Sequence, residues 1–473
     1  MLNTGNVVMN ESHPVNRREM MRGALAASLA SWTLSDVQGE TTAAGKLRLA
    51  PFHFDVTPPI GHSCCGGWIK PIEVIDDSLE AIGFVLLGVG KPIVICAVDW
   101  TGLLNDAHVQ WRKALAEGAG TTPDRVAVHC VHQHNAPFAC LEAERIVAAQ
   151  GDLPHIVDVE FFGKCLDNGR ASVAEAIKNA RPVTHIATGQ GKVDKVASNR
   201  RIFRDENGVI KAMRGSSCRD PKLQAMTEGL IDPWLKTVAF YNDETKLVSC
   251  HYYATHPMSY YADGRCTSDF AGLARKQRQI DEPDCTHIYF TGCGGNISAG
   301  KYNDGSKEAR PILTQRVYDG IVASERNLQR KPIERVGWKT AELVPTPRKT
   351  LSVETLEMQI NDKNNPVVSR NRPAYMLSWL RRIEQKTPIV LSSLSVNSTT
   401  LLHLPAECFI EYQLRAQKLG GEGRFVATAA YGDGGPWYIP VKEEYPAGGY
   451  EVSVAFCQDD IDAQLTKGIK GLL

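Results

Sequence analysis

Short apolar segments alternate with helical patterns along most of this chain, and this alternation constrains the fold more than any other feature. Strand-like apolar runs occur at 93–98, 125–131, 185–189, 286–291, 399–404 and 425–430. Segments with helical periodicity occur at 104–118, 161–179, 310–327 and 408–419. Such alternation predicts an α/β protein. Periodicity is weaker at 332–368, where we expect an edge β segment or a small subdomain.

The apolar stretch 81–100 has the length of a membrane span but not its composition. Gly88, Gly90 and Pro92 interrupt it, and these residues favour a tight turn. We therefore expect a hairpin of two buried strands, 83–87 and 93–98, rather than a transmembrane helix.

Composition excludes several classes of protein. The chain has 473 residues, 53 basic against 53 acidic side chains, and 43% apolar residues. This content is enough to bury a large core, which excludes an intrinsically disordered chain. A balanced charge argues against a nucleic-acid-binding protein, which needs a basic surplus. No linker or internal repeat divides 46–473, so we expect one catalytic domain there.

The N-terminal 45 residues resemble an export signal. Arg17 and Arg18 precede an apolar, small-residue stretch at 23–34, and a polar segment follows at 35–45. Paired arginines are typical of the twin-arginine signals with which bacteria export folded proteins; the alternative is an ordinary amphipathic leader. The apolar stretch is too short to span a bilayer. We expect a protein exported to the periplasm or the medium.

The thirteen cysteines have no spacing that indicates a structural zinc site, because no Cys-x-x-Cys occurs. Most of them lie in apolar segments, where free cysteine packs as a small hydrophobe. Cys64 and Cys65 are adjacent and would bridge each other only with strain. We expect mostly buried thiols.

The densest group of chemically active residues follows the predicted strand 125–131. His132 and His134 lie two residues apart, so both would point to one side where the strand ends. One imidazole would then ligate a metal while the other carries protons, and hydrogen-bonded structural histidines are the alternative. His129 lies on the opposite face and is expected to pack in the core.

Four further segments carry candidate residues, and each also has an ordinary structural explanation. His256 follows a strand and precedes a proline, and Glu407 is a carboxylate between an apolar strand and a helix. Tyr438 follows a loop rich in glycine and proline. The glycine-rich turn 292–300 carries Ser298; it is not a phosphate loop, but it can bring N–H groups and a hydroxyl to a carbonyl. Ligands drawn from distant segments are typical of catalytic zinc.

These segments, in this order, resemble the catalytic domain of the neutral ceramidases, zinc amidases that hydrolyse the N-acyl bond of ceramide. His132-Gln-His134-Asn-Ala-Pro is similar to the family's His-Thr-His-Ser-Gly-Pro, and Ala254-Thr-His256 to its Ala-Thr-His. Leu404-Pro-Ala-Glu407 resembles its Pro-Gly-Glu segment, and Tyr438-Ile-Pro-Val-Lys-Glu-Glu-Tyr445 its Tyr-Ile/Val-x-x-x-Glu-Glu-Tyr. Ser198-Asn-Arg200 resembles an Asn-Arg-Ser segment that contacts substrate. The likeness covers roughly 47–460.

The resemblance implies an α/β fold with a mixed sheet core flanked by helices, and a Zn²⁺ site. The metal ligands it implies are His132, His256, Glu407 and Tyr438. It also assigns catalysis to Ser298 and His134, and substrate binding to Arg200 and Asn296.

The chain departs from the family pattern around the serine. Gly295-Asn296-Ile-Ser298-Ala-Gly300 replaces Gly-Asp-Val-Ser-Pro-Asn, so the serine is retained while the aspartate and proline are not. Because the sequence ends at Leu473, we expect the family's C-terminal immunoglobulin-like domain to be lacking.

We therefore hypothesise zinc-dependent hydrolysis of an amide in lipid metabolism, with a lipid or small-molecule substrate that need not be ceramide. An esterase on the same scaffold, or a catalytically inactive metal-stabilised binding protein, is the alternative. Ser298 is either the attacking group or a donor that orients water.

Overall fold

The computed structural model describes residues 34–37 and 47–473. The predicted twin-arginine segment therefore lies outside the described residues. Within the described ranges, no helix combines the length and apolarity needed to cross a bilayer.

Three five-stranded sheets form the framework, and the apolar patterns of the sequence supply most of their strands. The N-terminal sheet has the spatial order Val126–Cys130, Ile93–Val98, Glu80–Leu87, Arg48–Asp55, Arg181–Pro182. The middle sheet has the order Thr286–Thr291, Thr245–Tyr253, Trp234–Asn242, His185–Lys192, Lys331–Pro332. The C-terminal sheet has the order Leu34–Val37, Val336–Leu343, Ile389–Val396, Thr399–His403, Phe425–Ala429.

Each sheet repeats one topological unit, although no repeat is visible in the sequence. An antiparallel hairpin is followed by a helix and by a strand parallel to the hairpin's second strand. The crossover helices are Asp106–Ala119, Asp269–Asp281 and Ile410–Gly420. Apolar patterning and a right-handed crossover suffice to form such a unit, so the residues themselves need not be alike. The mixed α/β fold class is confirmed.

The sheets enclose a common core to which each contributes aromatic side chains. The ring centroids of Phe84, in the N-terminal sheet, and Phe240, in the middle sheet, lie 5.4 Å apart. Trp338, in the C-terminal sheet, is fully buried. The ends of the three parallel strands are also joined. Thr291 donates its hydroxyl to the Val131 carbonyl at 2.7 Å, and the Ala430 N–H donates to the Thr291 carbonyl at 2.9 Å. The loops that follow these strands therefore meet at one place.

Further helices and short strand pairs cover this framework. The remaining helices are Leu141–Ala148, Val159–Lys178, Pro221–Ala225, Ala309–Glu325, Val353–Asn361, Val367–Glu384, Tyr450–Ser453 and Ile461–Leu472. The short pairs are Val74–Ile75 with Arg265–Cys266, Gly102–Leu103 with Phe138–Ala139, Ser198–Asn199 with Ile297–Ser298, Phe203–Arg204 with Ile210–Ala212, and Glu407–Cys408 with Tyr438–Ile439.

The region of weak periodicity, 332–368, differs from the expected edge segment. Its strand Val336–Leu343 lies inside the C-terminal sheet, because Leu34–Val37 and Ile389–Val396 pair with its two sides. The helix Val367–Glu384 has no clear sequence signal, since it contains Pro373 and buries polar side chains such as Asn371 and Ser378.

Two other predictions are confirmed. The hairpin joins Glu80–Leu87 to Ile93–Val98 in antiparallel register. All thirteen cysteines are buried and free. Burial raises the pKa of the Cys64 thiol to about 12, so this sulfur is neutral at physiological pH.

Candidate metal centre

Two strand ends and one short strand pair place the candidate ligands together. His132 follows the strand Val126–Cys130, and His256 follows Thr245–Tyr253. Glu407 pairs in parallel register with Tyr438. All four side chains are buried. The four residues that the sequence separates widely therefore meet at the point where the three sheets converge.

The ligand atoms of these side chains have the spacing of a tetrahedral metal site. His132 Nε2 lies 3.1 Å from His256 Nε2, and Glu407 Oε2 lies 3.2 Å and 3.1 Å from these two nitrogens. Tyr438 Oη is 3.4 Å from His256 Nε2. Ligands at zinc-bond distances in a tetrahedron are about 3.3 Å apart. The donor set therefore fits Zn²⁺.

The hydrogen bonds of the two histidines determine which nitrogen is free to bind a cation. His132 Nδ1–H donates to the Thr101 carbonyl at 2.6 Å, and His256 Nδ1–H donates to the Gly294 carbonyl at 2.8 Å. Each Nε2 is then a lone-pair acceptor. Glu407 Oε2 is buried without a hydrogen-bond donor. Three acceptors that face one another at hydrogen-bond distance repel unless a cation lies between them.

The charge states agree with a metal site. Burial opposes ionisation of Glu407, but the positive charge that His132 and His256 carry when protonated holds the pKa of this carboxyl well below its usual range. A cation bound between the same atoms would favour the ionised carboxylate in the same way. Burial lowers the pKa of His256, so its imidazole is neutral at pH 7. A carboxylate and neutral imidazoles are the protonation states that bind a divalent cation.

His134 lies beside this cluster and lines the cavity. Its ring centroid is 5.0 Å from that of His132 and 5.7 Å from that of His256, and its Nδ1 has no partner among the described residues. Burial and the two neighbouring histidines lower its pKa well below the usual value. The three histidines offer nitrogens within 4.8 Å of one another, so His134 is also within reach of a cation.

The backbone around the cluster is strained. His132 has φ = 76°, Ala406 49°, Tyr431 58° and Trp437 62°, all in the left-handed region that non-glycine residues rarely adopt. The strand therefore ends before His132, and it is this backbone turn, not strand alternation, that aims the imidazole inward. Strain that gathers around one cluster is typical of a functional site.

The glycine-rich turn supports the cluster from behind. Ser298 is fully buried, donates its hydroxyl to the Gly215 carbonyl at 3.0 Å, and does not line the cavity. Asn296 accepts a hydrogen bond from the Ile410 N–H at 2.8 Å and donates to Glu411 at 3.0 Å. Neither residue lines the cavity in front of the cluster.

A cavity of about 510 Å³ opens in front of the cluster. Arg200 lines it and donates to Tyr438 Oη at 3.3 Å. The other residues in its wall are mostly aromatic or small: Cys65, Trp68, Ile69, Thr101, Phe138, Gly215, Ser216, Ser217, Met258, Tyr261, Val368, Arg372, Trp437 and Tyr450.

Sequence reasoning missed several residues of this site. Thr101 contributes only a backbone carbonyl, which leaves no signal in a sequence. Tyr431 stacks on the His132 ring at 4.3 Å and lies 3.3 Å from His256 Nδ1 through its hydroxyl. The sequence signal for Tyr431 is the glycine-rich loop 432–436, which follows it and leads to Tyr438.

Comparisons with known proteins bear on the fold. No protein-family model and no curated protein sequence matches the chain. Among solved structures, a ceramidase complexed with C2 aligns with a TM-score of 0.67 at 14% identity. The neutral ceramidase from Pseudomonas aeruginosa aligns with a TM-score of 0.66, also at 14% identity. Each alignment covers 90% of this chain and 74% of the other. The chain has the fold of the neutral ceramidases, as the motif resemblance implied.

Proposed function

We propose that the protein is a zinc-dependent hydrolase that cleaves an amide bond in an N-acyl compound. The observation that carries this proposal is the meeting of three buried acceptor atoms, His132 Nε2, His256 Nε2 and Glu407 Oε2, at 3.1–3.2 Å. Such a group needs a cation, and its opening onto a cavity is typical of catalytic rather than structural zinc. The fold shared with ceramidases supports the reaction class.

The residues around the cavity have distinct roles in this proposal. Zn²⁺ held by His132, His256, Glu407 and Tyr438 would polarise the substrate carbonyl and acidify water. Neutral His134 accepts the proton of the attacking water and returns it to the leaving nitrogen. Arg200 donates to Tyr438 and orients the substrate carbonyl beside it. Trp68, Phe138 and Trp437 form an aromatic wall that excludes bulk water and holds the acyl chain.

Water, rather than Ser298, is the nucleophile in this scheme. The Ser298 hydroxyl is directed at the Gly215 carbonyl and lies outside the cavity wall. No base among the described residues accepts its proton, since the hydroxyl donates to that carbonyl oxygen. An attacking serine needs a base within hydrogen-bond reach.

We test the proposal by metal analysis and a turnover screen. The purified protein should contain one zinc per chain, and the His132→Ala/His256→Ala double variant should contain none. N-acyl amino acids, N-acylethanolamines, ceramide and matched esters are then offered to the zinc-loaded enzyme. Turnover of amides supports the proposal, and turnover of esters alone indicates an esterase.

Zinc without any turnover would indicate a metal-stabilised binding protein. A chain that binds no metal would overturn both the zinc hydrolase and the metal-stabilised binding protein.

Fractionation of the cells that produce the protein tests the proposed export. The proposed twin-arginine signal predicts that the protein is found in the periplasmic fraction or the medium. The free buried thiols are compatible with a chain that folds before transport.

A further inference from the structure

Two guanidinium groups line the cavity, and only one of them is paired with a carboxylate. Arg200 is buried, and its Nε lies 3.3 Å from Glu451 Oε1. Within residues 34–37 and 47–473, Arg372 has no ion pair and no hydrogen bond. Its Nε is buried without a partner, and its guanidinium lies 5.1 Å from the centre of the Trp68 ring.

The Arg372 side chain is half-buried, and its guanidinium carries donors that no described residue uses. The group carries five N–H donors, and an aromatic face satisfies only part of its charge. Glu407 is the one carboxylate among the described residues that line the cavity, and it belongs to the metal centre. The cavity is therefore a site of positive potential, which a bound divalent cation would strengthen.

Aromatic side chains lie between Arg372 and the candidate metal centre. Trp68 lies beneath Arg372, and its ring centroid is 5.4 Å from that of Trp437, whose neighbour in the chain is the candidate ligand Tyr438. Trp68 also contacts Phe138 at 5.7 Å. The aromatic wall thus runs from the metal centre to the unpaired guanidinium. A substrate lying along this wall presents one end to each.

We propose that Arg372 binds an oxyanion carried by the substrate, so that the enzyme prefers anionic N-acyl compounds to neutral ones such as ceramide. This inference rests on the proposed function. The planar guanidinium can form two parallel hydrogen bonds to a carboxylate or a phosphate, which a lysine or an amide cannot. The carboxylate of an N-acyl amino acid and the phosphate of an N-acyl phosphoethanolamine are the two sources of this chemistry.

The test compares substrates that share one acyl chain. N-dodecanoylglycine, N-dodecanoyl phosphoethanolamine and neutral N-dodecanoylethanolamine are offered to the zinc-loaded wild type and to Arg372→Met, which keeps an unbranched apolar stem and removes the charged guanidinium. The wild type should prefer an anionic substrate, and Arg372→Met should reduce that preference in kcat/KM by about tenfold to a hundredfold, mainly through KM. The preferred anion identifies the source.

A matched control lies on the same helix. Arg381 is partly exposed and pairs with Glu142 at 3.1 Å, outside the cavity. Arg381→Met should therefore keep the anion preference of the wild type. Arg372→Lys should restore only part of it, because a lysine supplies the charge without the two-pronged geometry.

A binding measurement separates failure of this inference from failure of the proposed function. Trp68 and Trp437 report on the cavity, so the tryptophan fluorescence is titrated with N-dodecanoylglycine. Weaker binding to Arg372→Met, without turnover by any variant, would keep the anion site and overturn the hydrolase. Turnover and binding with the same anion preference in wild type and Arg372→Met would overturn the anion site and leave the hydrolase.

Discussion

His132 shows how one residue is given its chemical role by atoms far away in the chain. Its Nδ1 proton is held by the Thr101 carbonyl, its ring is covered by Tyr431, and its backbone adopts φ = 76°. Each of these contacts reduces the freedom of the imidazole, so that Nε2 faces His256 and Glu407. A ligand whose second nitrogen is held in this way has a fixed tautomer, which favours metal binding.

For Ser298, we predict a role in packing and not in catalysis. Ser298→Ala removes one hydrogen bond to the Gly215 carbonyl, so we expect kcat within about tenfold of the wild type and a loss of about 1 kcal/mol in the free energy of unfolding. His134→Ala should keep zinc but reduce kcat by about a hundredfold or more, because the proton carrier is lost. Steady-state kinetics on zinc-loaded variants measure both. A thousandfold loss in Ser298→Ala would instead make the serine the nucleophile.

Among the elements, the helix Val159–Lys178 packs closely on Asp106–Ala119 because glycines lie where the two helices approach. A Cβ on Gly169 would lie 2.9 Å from Phe54 and 3.1 Å from Leu115. A Cβ on Gly118 would lie 2.4 Å from the Arg170 carbonyl oxygen. Asp158 begins the helix by accepting from the Glu160 and Phe161 N–H groups. This helix holds one side of the N-terminal sheet, whose strand Val126–Cys130 leads into His132.

Two glycines of this helix make a matched pair for a stability measurement. A Cβ on Gly163 would meet nothing within 4 Å, so Gly163→Ala should stabilise the protein by about 1 kcal/mol through helix propensity. Gly169→Ala should destabilise it by about 1–3 kcal/mol, because the new methyl group forces Phe54 and Leu115 apart. Urea unfolding curves compare the two. Equal effects of both substitutions would contradict the close packing.

In the molecule as a whole, pairs of buried histidines join neighbouring strands, within one sheet or between two. His129 Nε2 and His403 Nδ1 lie 2.9 Å apart and link the N-terminal sheet to the C-terminal sheet. His251 Nε2 lies 2.9 Å from His287 Nδ1 in the middle sheet. Burial lowers the pKa of His129 and of His251 to about 3. Both rings are therefore neutral in the folded protein at pH values where the unfolded chain is protonated.

This difference predicts acid lability. The unfolded histidines bind protons below about pH 6.5 and the folded ones only near pH 3, so stability is complete above pH 6.5 and is lost as the pH falls. Between pH 7 and pH 5 the expected loss is about 2 kcal/mol for each of the two histidines. Urea midpoints at several pH values measure it. A midpoint equal at pH 5 and pH 7 would contradict the prediction.

The sequence by itself determined the fold class, most of the strand and helix positions, and the segments that carry the site. Periodicity is a local property, so Ile93–Val98, Thr286–Thr291 and Val159–Lys178 could be predicted within a few residues. The motifs around His132, His256, Glu407 and Tyr438 are also local, and the structure brings all four together. The absence of any zinc-finger cysteine spacing was likewise readable from the sequence.

Tertiary structure alone decided which atoms face one another. The carbonyls of Thr101 and Gly294 that orient the histidines belong to the backbone and have no sequence signature. Ser298 and Asn296 look like site residues by motif, yet their hydrogen bonds turn them away from the cavity. Arg372 became a candidate only because no carboxylate among the described residues pairs with it. Pairing between distant segments depends on the packing of three sheets, and local residue preference carries no information about that packing.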